Sequence, residues 1–292
     1  MFLAQPNASW DLDWTVMNAS GRRLDQNVGM ATLVVLALAL FPAGLGFSLS
    51  TARPSTQHQA TKQKSAPAAK EALLPFRVGE TLSYRVSWSA FSNAASLQLA
   101  AIERRDLFGW PTWHFRAVAH TLGPVRSIFE LDDQFDSYTD AVTLESRQFE
   151  MHLNEMGSAQ DQVSHFAVSG QVSRAPAPRV VVQSGTRDPL GALYALRGAD
   201  WQRTPEFRAP VYDGHDLFEM RAQRETPSET VKTAAGTSSA ARISVRVFQY
   251  DKEVSAIHFL LWIANDAAHT PVVLQANLPF GAIRAELILA PQ

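Results

Sequence analysis

The chain has 292 residues, of which 46% are hydrophobic and 18% charged, which excludes an intrinsically disordered chain and demands a packed core. Its formal charge of -2 gives no basic excess for neutralising phosphates, so nucleic acid is not an expected partner. It has no cysteine, which removes thiolate metal sites, iron-sulfur clusters, cysteine nucleophiles, disulfides and a lipid-modified N-terminal Cys together.

In chain order, residues 1–29 are an N-terminal extension too long and acidic (Asp11, Asp13, Asp25) for an ordinary export leader, so that Met17 or Met30 is an alternative start. Residues 30–47 are uncharged and apolar and follow Arg22 and Arg23, as in an export signal or a membrane anchor. The dense part, Met30 to Phe41, is short for a span and favours a cleaved signal. Residues 48–74 are rich in Ser, Thr, Ala, Pro and Gln and hold Lys62, Lys64 and Lys70, the composition of a solvated linker. The domain proper is expected over 75–292, beyond the cytoplasmic membrane, in the periplasm or tethered to the inner membrane by 30–47.

That body is patterned as strands. Leu82, Tyr84, Val86 and Trp88 alternate with polar residues, as do Leu97, Leu99 and Ala101, then Trp113, Phe115, Ala117 and Ala119. Phe129 to Phe135, Phe149 to Leu153, Val163 to Val168 and Val180 to Val182 continue the series. Four further runs, starting at Ile243, Ile257, Val272 and Ile283, are separated by turn residues such as Asp251-Lys252 and Asn265-Asp266. Asp188-Pro189 followed by Leu190, Leu193, Tyr194 and Leu196 supplies a cap, a first-turn proline and helical spacing. Asp213-Gly214 marks a tight turn, and Glu225 to Ala241 is expected to hold one exposed strand before a mobile loop. The fold class is therefore mostly β: a large antiparallel sheet curled into a half-barrel or barrel-like sandwich, with one short helix mid-domain.

Catalytic signatures are absent. There is no HExxH, no Gly-x-Ser-x-Gly, no Ser-x-x-Lys and no glycine cradle for nucleotide phosphates, so no cofactor or metal is expected and no catalytic residue is assigned. His114 and His120 share a strand face about 20 Å apart, too far to chelate one ion. Asp132, Asp133, Asp136 and Asp140 lack the order of a calcium loop and are expected in a solvated loop. Glu80, Asp188, Asp213 and Glu219 are carboxylates that folding would have to bring together for hydrolase chemistry. Tyr84, Trp88, Trp113, Phe115 and Phe259 would line an apolar hollow if the curled sheet leaves one, or fill an ordinary core; Trp262 points to the face opposite Phe259.

The segment Pro75-Phe76-Arg77-Val78-Gly79-Glu80-Thr81-Leu82-Ser83-Tyr84 resembles the opening strand of the exported bacterial domain of unknown function 3108. The Asp188-Pro189-Leu190 helix with Leu196-Arg197, the Tyr212-Asp213-Gly214 turn, Pro271-Val272 and Phe280-Gly281 are similar to later stretches of that family, in order. A departure is Asn93-Ala94-Ala95, where a glycine is expected at the second turn. The resemblance implies a periplasmic β domain like the half-barrels that carry lipids or lipoproteins. Gly79, Glu80, Asp188, Pro189, Asp213 and Gly214 are its motif positions, with turn, cap or buried-pair roles expected before binding roles. Three functions follow: a non-catalytic envelope protein that binds a lipid, lipoprotein or other apolar partner on its curved sheet; a scaffolding module with a packed core that engages envelope proteins; and an envelope hydrolase.

Overall fold

The computed structural model describes residues 74–278 and 281–289. The extension, the apolar segment and all but the last residue of the linker lie outside the described residues. Thirteen strands are present: β1 (Thr81–Trp88), β2 (Phe91–Leu107), β3 (Trp110–Thr121), β4 (Asp132–Asp140), β5 (Ser146–Glu155), β6 (Ser158–Val168), β7 (Arg179–Val182), β8 (Glu206–Tyr212), β9 (Leu217–Thr233), β10 (Gly236–Gln249), β11 (Lys252–Ala264), β12 (Pro271–Leu278) and β13 (Gly281–Leu289). Among the described residues two helices join them, α1 (Gly123–Ile128) and α2 (Pro189–Gly198).

All thirteen strands form one sheet in the order β7-β6-β5-β4-β3-β2-β1-β13-β12-β11-β10-β9-β8. Every pairing is antiparallel except β6 with β7. The period-two pattern explains the layering. On β1, Leu82, Tyr84 and Val86 are buried, and the register sets Tyr84 opposite Leu97 on one side and Leu287 on the other. Alternation thus sends one apolar row per strand into a shared core, as expected of a curled sheet.

Topology then decides what fills the curl. β7 and β8 are consecutive in the chain but stand at opposite ends of the sheet, so the connection must travel from one edge to the other. It does so as α2, whose residues Pro189 to Arg197 are all buried. A helix that is apolar on every side has no solvent face to offer and belongs in an interior. The sheet is not closed by strand pairing. At the seam Thr186 accepts from Ser146 N–H (3.0 Å) and Arg187 bridges to Val211 of β8, while Gln162 of β6 donates to the carbonyl of Gly214 (2.5 Å).

Several expectations need correction. The second turn falls at Ser89–Ala90, where Ser89 takes φ 49°, and Asn93 to Ala95 lie inside β2, so no glycine is needed there. Glu225 to Ala241 is no mobile loop. It is the distal half of the β9–β10 hairpin, bent by register shifts beside Arg242, with Val231, Ala240 and Ala241 buried. Its tip reaches the ends of β11 and β13, with Ala235 N–H donating to Leu287 O (3.3 Å) and Asn265 N–H to Ser239 O (2.8 Å). α1 is a second helix, a single turn opened by Gly123-Pro124, which displaces the start of β4 from Phe129 to Asp132.

Candidate functional site

Of the family-like positions, Glu80, Asp188 and Pro189 engage α2, with Gly79 in the turn before Glu80, while Asp213 and Gly214 lie in the β8–β9 turn. Asp188 caps the helix: its Oδ1 accepts from Gly191 N–H (2.8 Å) and its Oδ2 from the hydroxyls of Ser137 (2.6 Å) and Ser146 (2.5 Å). Ser146 Oγ in turn accepts the Asp188 N–H at 2.6 Å. Burial pushes this carboxyl's pKa up, and the bonds from Gly191 and the two serines pull against it. Pro189 occupies the first turn, where its missing N–H costs nothing.

At the other end of the helix, Arg197 Nη1 donates to Glu80 Oε1 at 2.7 Å, and its remaining nitrogens reach the carbonyls of Ala268 (3.0 Å) and His269 (3.3 Å). His269 returns a bond from Nδ1–H to Arg197 O at 2.7 Å. Gly79, at φ +84°, makes the turn that delivers Glu80 to this pair, with its N–H on Ala101 O at 2.7 Å. In the β8–β9 turn Asp213 Oδ1 accepts from the N–H groups of His215 and Asp216, both at 2.7 Å, while Oδ2 has no partner. Burial raises Asp213 to about 6. Gly214 follows at φ +106°, and a Cβ there would lie 2.5 Å from Met151 Cε. The carboxylates named for hydrolase chemistry therefore have different partners: Arg197 for Glu80, the helix cap for Asp188, the turn for Asp213 and Arg221 for Glu219.

Of the aromatic residues named as a lining, Phe115 stacks on Tyr194 of α2 (ring centroids 3.6 Å apart, planes at 9°) and Trp113 stacks on Phe115 at 5.8 Å. Phe76 meets Trp113, Phe115 and Tyr194 edge-on. Tyr84 is fully buried and donates its hydroxyl to Pro271 O at 2.7 Å. Phe259 is buried in the same core, and Trp88 is half-buried beside Phe91. A cavity of about 20 Å³ lies beside Trp110 and Arg147, and an open groove of about 660 Å³ lies on the outer face along Arg85, Ser87, Ser92, Asn93 and Glu286.

The acidic cluster is not a solvated loop. Asp132, Asp133, Asp136 and Asp140 sit in β4, the last three buried, because cations and donors on neighbouring strands pair with them. Asp136 accepts from His114 Nε2 (2.5 Å), Arg116 Nε (2.8 Å) and Gln134 Nε2 (2.6 Å); its pKa is lowered, with these bonds overcoming the upward effect of burial. Asp132 binds Arg126 at 2.7 and 2.9 Å and His120 at 2.7 Å, and the Arg126 bonds hold its pKa at about 2. Asp133 faces inward, accepts only Asn154 N–H (2.9 Å) and is raised to about 7 by burial. Across β5 and β6 the outer face continues with Gln148, Glu150, His152 and Asp161. His152 Nδ1–H donates to Asp161 Oδ1 at 2.7 Å, and its Nε2 stands 3.4 Å from Glu150 Oε2. Sequence spacing could not find this network, since its members come from four strands. The available signal was that Asp136 falls on the strand face opposite Phe135.

A family described as a protein of unknown function, DUF3108, matches residues 83–288. The chain belongs to that family. The DUF3108 domain therefore spans most of the described residues, from within β1 to within β13. Among solved structures, this DUF3108 chain is similar to a β-barrel-like protein of the domain of unknown function DUF1849 from Brucella abortus, at 10% identity and a TM-score of 0.47, covering 74% of this chain and 98% of that one. It is also similar to a protein described as exported, with a YmcC-like fold, from Bacteroides fragilis (11% identity, TM-score 0.34, 75% and 98% covered). A third is described as a lipoprotein from Parabacteroides distasonis (11%, TM-score 0.35, 75% and 99%). No curated protein matches the chain. Among the described residues, no helix is long and apolar enough to cross a membrane.

Proposed function

We propose that this DUF3108 protein is a non-catalytic module of the cell envelope, exported by the segment at 30–47, that takes its partner on the outside of the curled sheet. The observation that carries this reading is the burial of α2 inside the curl. An acyl chain entering there gains about 0.8 kcal/mol per methylene. It has to expel Leu190, Leu193, Tyr194 and Leu196, each contributing about 1.5–3 kcal/mol by its own burial, and to break the Glu80–Arg197 pair, which costs about 3–5 kcal/mol more. The helix offsets most of what a single chain offers. The outer face has the polar ladder over β3 to β6 and the groove beside Arg85 and Glu286, surfaces suited to another envelope protein or to the polar part of a lipoprotein.

Carriage of a lipid or lipoprotein within the curl is the second reading, and the seam favours it: there the wall is held by a few bonds at Thr186, Arg187 and Gly214 rather than by a ladder. One experiment separates the two. A photo-crosslinking residue at Ser92, in the groove, and at Val181, on the edge strand β7, is expected to trap protein partners in cells, with no lipid retained in native mass spectra of the purified chain. Retained lipid without protein adducts would reverse the order. A periplasmic reporter fused after residue 292 that stays inactive would refute export, and with it both readings.

A further inference from the structure

On the outer face of β4, β5 and β6, away from α2, one oxygen of Asp136, one oxygen of Glu150 and a ring nitrogen of His152 lie within 4.8 Å of one another. We propose that these three side chains form a binding site for a divalent transition-metal ion of the zinc class. The inference is independent of how the protein engages its partner.

Three observations carry it. The first is spacing. A four-coordinate zinc with bonds of about 2.0–2.1 Å sets its ligand atoms about 3.3 Å apart. His152 Nε2 and Glu150 Oε2 stand 3.4 Å apart, the separation that such an ion would span.

The second is orientation. Asp161 accepts the Nδ1–H of His152 at 2.7 Å, which in the neutral ring leaves the lone pair on Nε2, the nitrogen that faces Glu150. A carboxylate behind a histidine is the usual outer partner of a metal-bound imidazole, fixing its tautomer and raising its basicity. Gln148 Nε2 donates to Glu150 Oε1 and leaves Oε2 facing the imidazole. On Asp136, His114 and Arg116 both donate to Oδ1, so Oδ2 carries the single bond from Gln134 and keeps a lone pair.

The third is placement. Asp136 and Glu150 stand directly opposite each other on paired strands, and Gln134 opposite His152 brings the imidazole into the next row. The backbone ladder therefore holds the donors together without help from a loop. Asp136 is buried, while Glu150 and His152 are partly exposed, which gives an ion a path from solvent and leaves room for water as a further ligand.

The donor set selects the metal. Calcium takes about six to eight oxygens, and two carboxylate oxygens with an imidazole fall short of that. An imidazole with two hard oxygens suits zinc or copper. Arg116, beside Asp136, lowers the net negative charge of the site, so its affinity is expected below that of a closed structural zinc site.

The test is calorimetric titration of the untagged, metal-stripped full chain with Zn²⁺, with folding of each variant checked by thermal unfolding. The expected result is one ion per chain at this site, with affinity weakened by more than the roughly 10–100-fold that loss of an outer partner costs in both His152→Ala and Glu150→Gln. His120→Ala, on the same face but bonded to Asp132, is expected to bind as the parent does. If His152→Ala fails to fold, Asp161→Asn takes its place, because that side chain is 80% exposed and its loss touches no core. An absence of Zn²⁺ binding, or binding unchanged in either ligand variant, overturns the proposal.

Discussion

Glu80 and Arg197 are 117 residues apart in the chain and meet at 2.7 Å, with side chains only 3% and 1% exposed. The pair ties the strand that opens the domain to the last turn of the helix inside it. Two opposite charges this far from water are held by each other and by the carbonyls of Ala268 and His269, so either one alone would be an uncompensated buried charge.

Removing one partner is therefore expected to cost more than the pair itself contributes. Glu80→Ala should lose about 3–5 kcal/mol in urea unfolding, whereas the double replacement Glu80→Leu with Arg197→Met should recover most of that loss. Equal losses in the single and double variants would show that packing around the pair, and not the stranded charge, sets the penalty.

A second prediction concerns two glycines of similar conformation. Gly214 (φ +106°) has Met151 Cε at 2.5 Å from the place of a Cβ, and Gly236 (φ +128°) has nothing within 4 Å. Alanine at 236 meets backbone strain alone, about 1–2 kcal/mol, while alanine at 214 also collides with a buried methionine and should cost about 1–3 kcal/mol beyond it. Comparison of the two denaturation midpoints checks the order.

Stability should also fall as pH rises through neutrality. Asp133 and Asp213 are raised by burial to about 7 and about 6, so the native state favours their protonated forms. Their contribution is fully present below the unfolded carboxylate pKa of about 3.9 and is lost as pH climbs through the folded values. Asp132, held at about 2, and the lowered Asp136 and Asp140 act with the opposite sign, contributing above the unfolded value and losing that contribution on acidification. Maximum stability is expected in mildly acidic solution. Asp133→Asn, which keeps an oxygen for Asn154 N–H, should match the parent near pH 4 and exceed it by about 1–3 kcal/mol near pH 8. Parallel stability curves for the two proteins would refute the assignment.

Asp188→Ala removes a helix cap and leaves two buried hydroxyls facing no acceptor. An ordinary cap contributes about 1 kcal/mol, and each of the two orphaned buried groups adds about 1–3 kcal/mol, so a total of about 3–7 kcal/mol is expected. A loss no larger than that of a surface cap would mean that Ser137 and Ser146 find other partners.

The elements were legible where a local rule decided them. Leu82, Tyr84 and Val86 announce β1 because a pleat sends alternate side chains one way, and Asp188-Pro189 announces α2 because a cap and a first-turn proline are local chemistry. What depends on pairing was not legible. Nothing near Asp136 in the chain says that His114 and Arg116 neutralise it, and an acid without a visible partner is correctly expected in water. The distal half of the β9–β10 hairpin was obscured for the same reason: Thr, Ser and Glu dominate it, and its buried side chains Val231, Ala240 and Ala241 are too few to set a local pattern. The site proposed for a metal takes its ligands from two strands and their outer partner Asp161 from a third, and no spacing in one segment encodes it.

The sheet order places β1 beside β13 at its middle, so the earliest and latest strands of the domain are neighbours. During synthesis the seven strands from β1 to β7 can pair among themselves, and β8 to β12 can do likewise, but the strand ladder between the two halves closes only when β13 arrives. Until then β1 presents a bare hydrogen-bonding edge with Tyr84 and Val86 beside it. The final strand is a keystone: a chain truncated before Gly281 would be left as two ribbons joined through α2 and the seam alone, each with a sticky central margin, rather than as a slightly shortened domain.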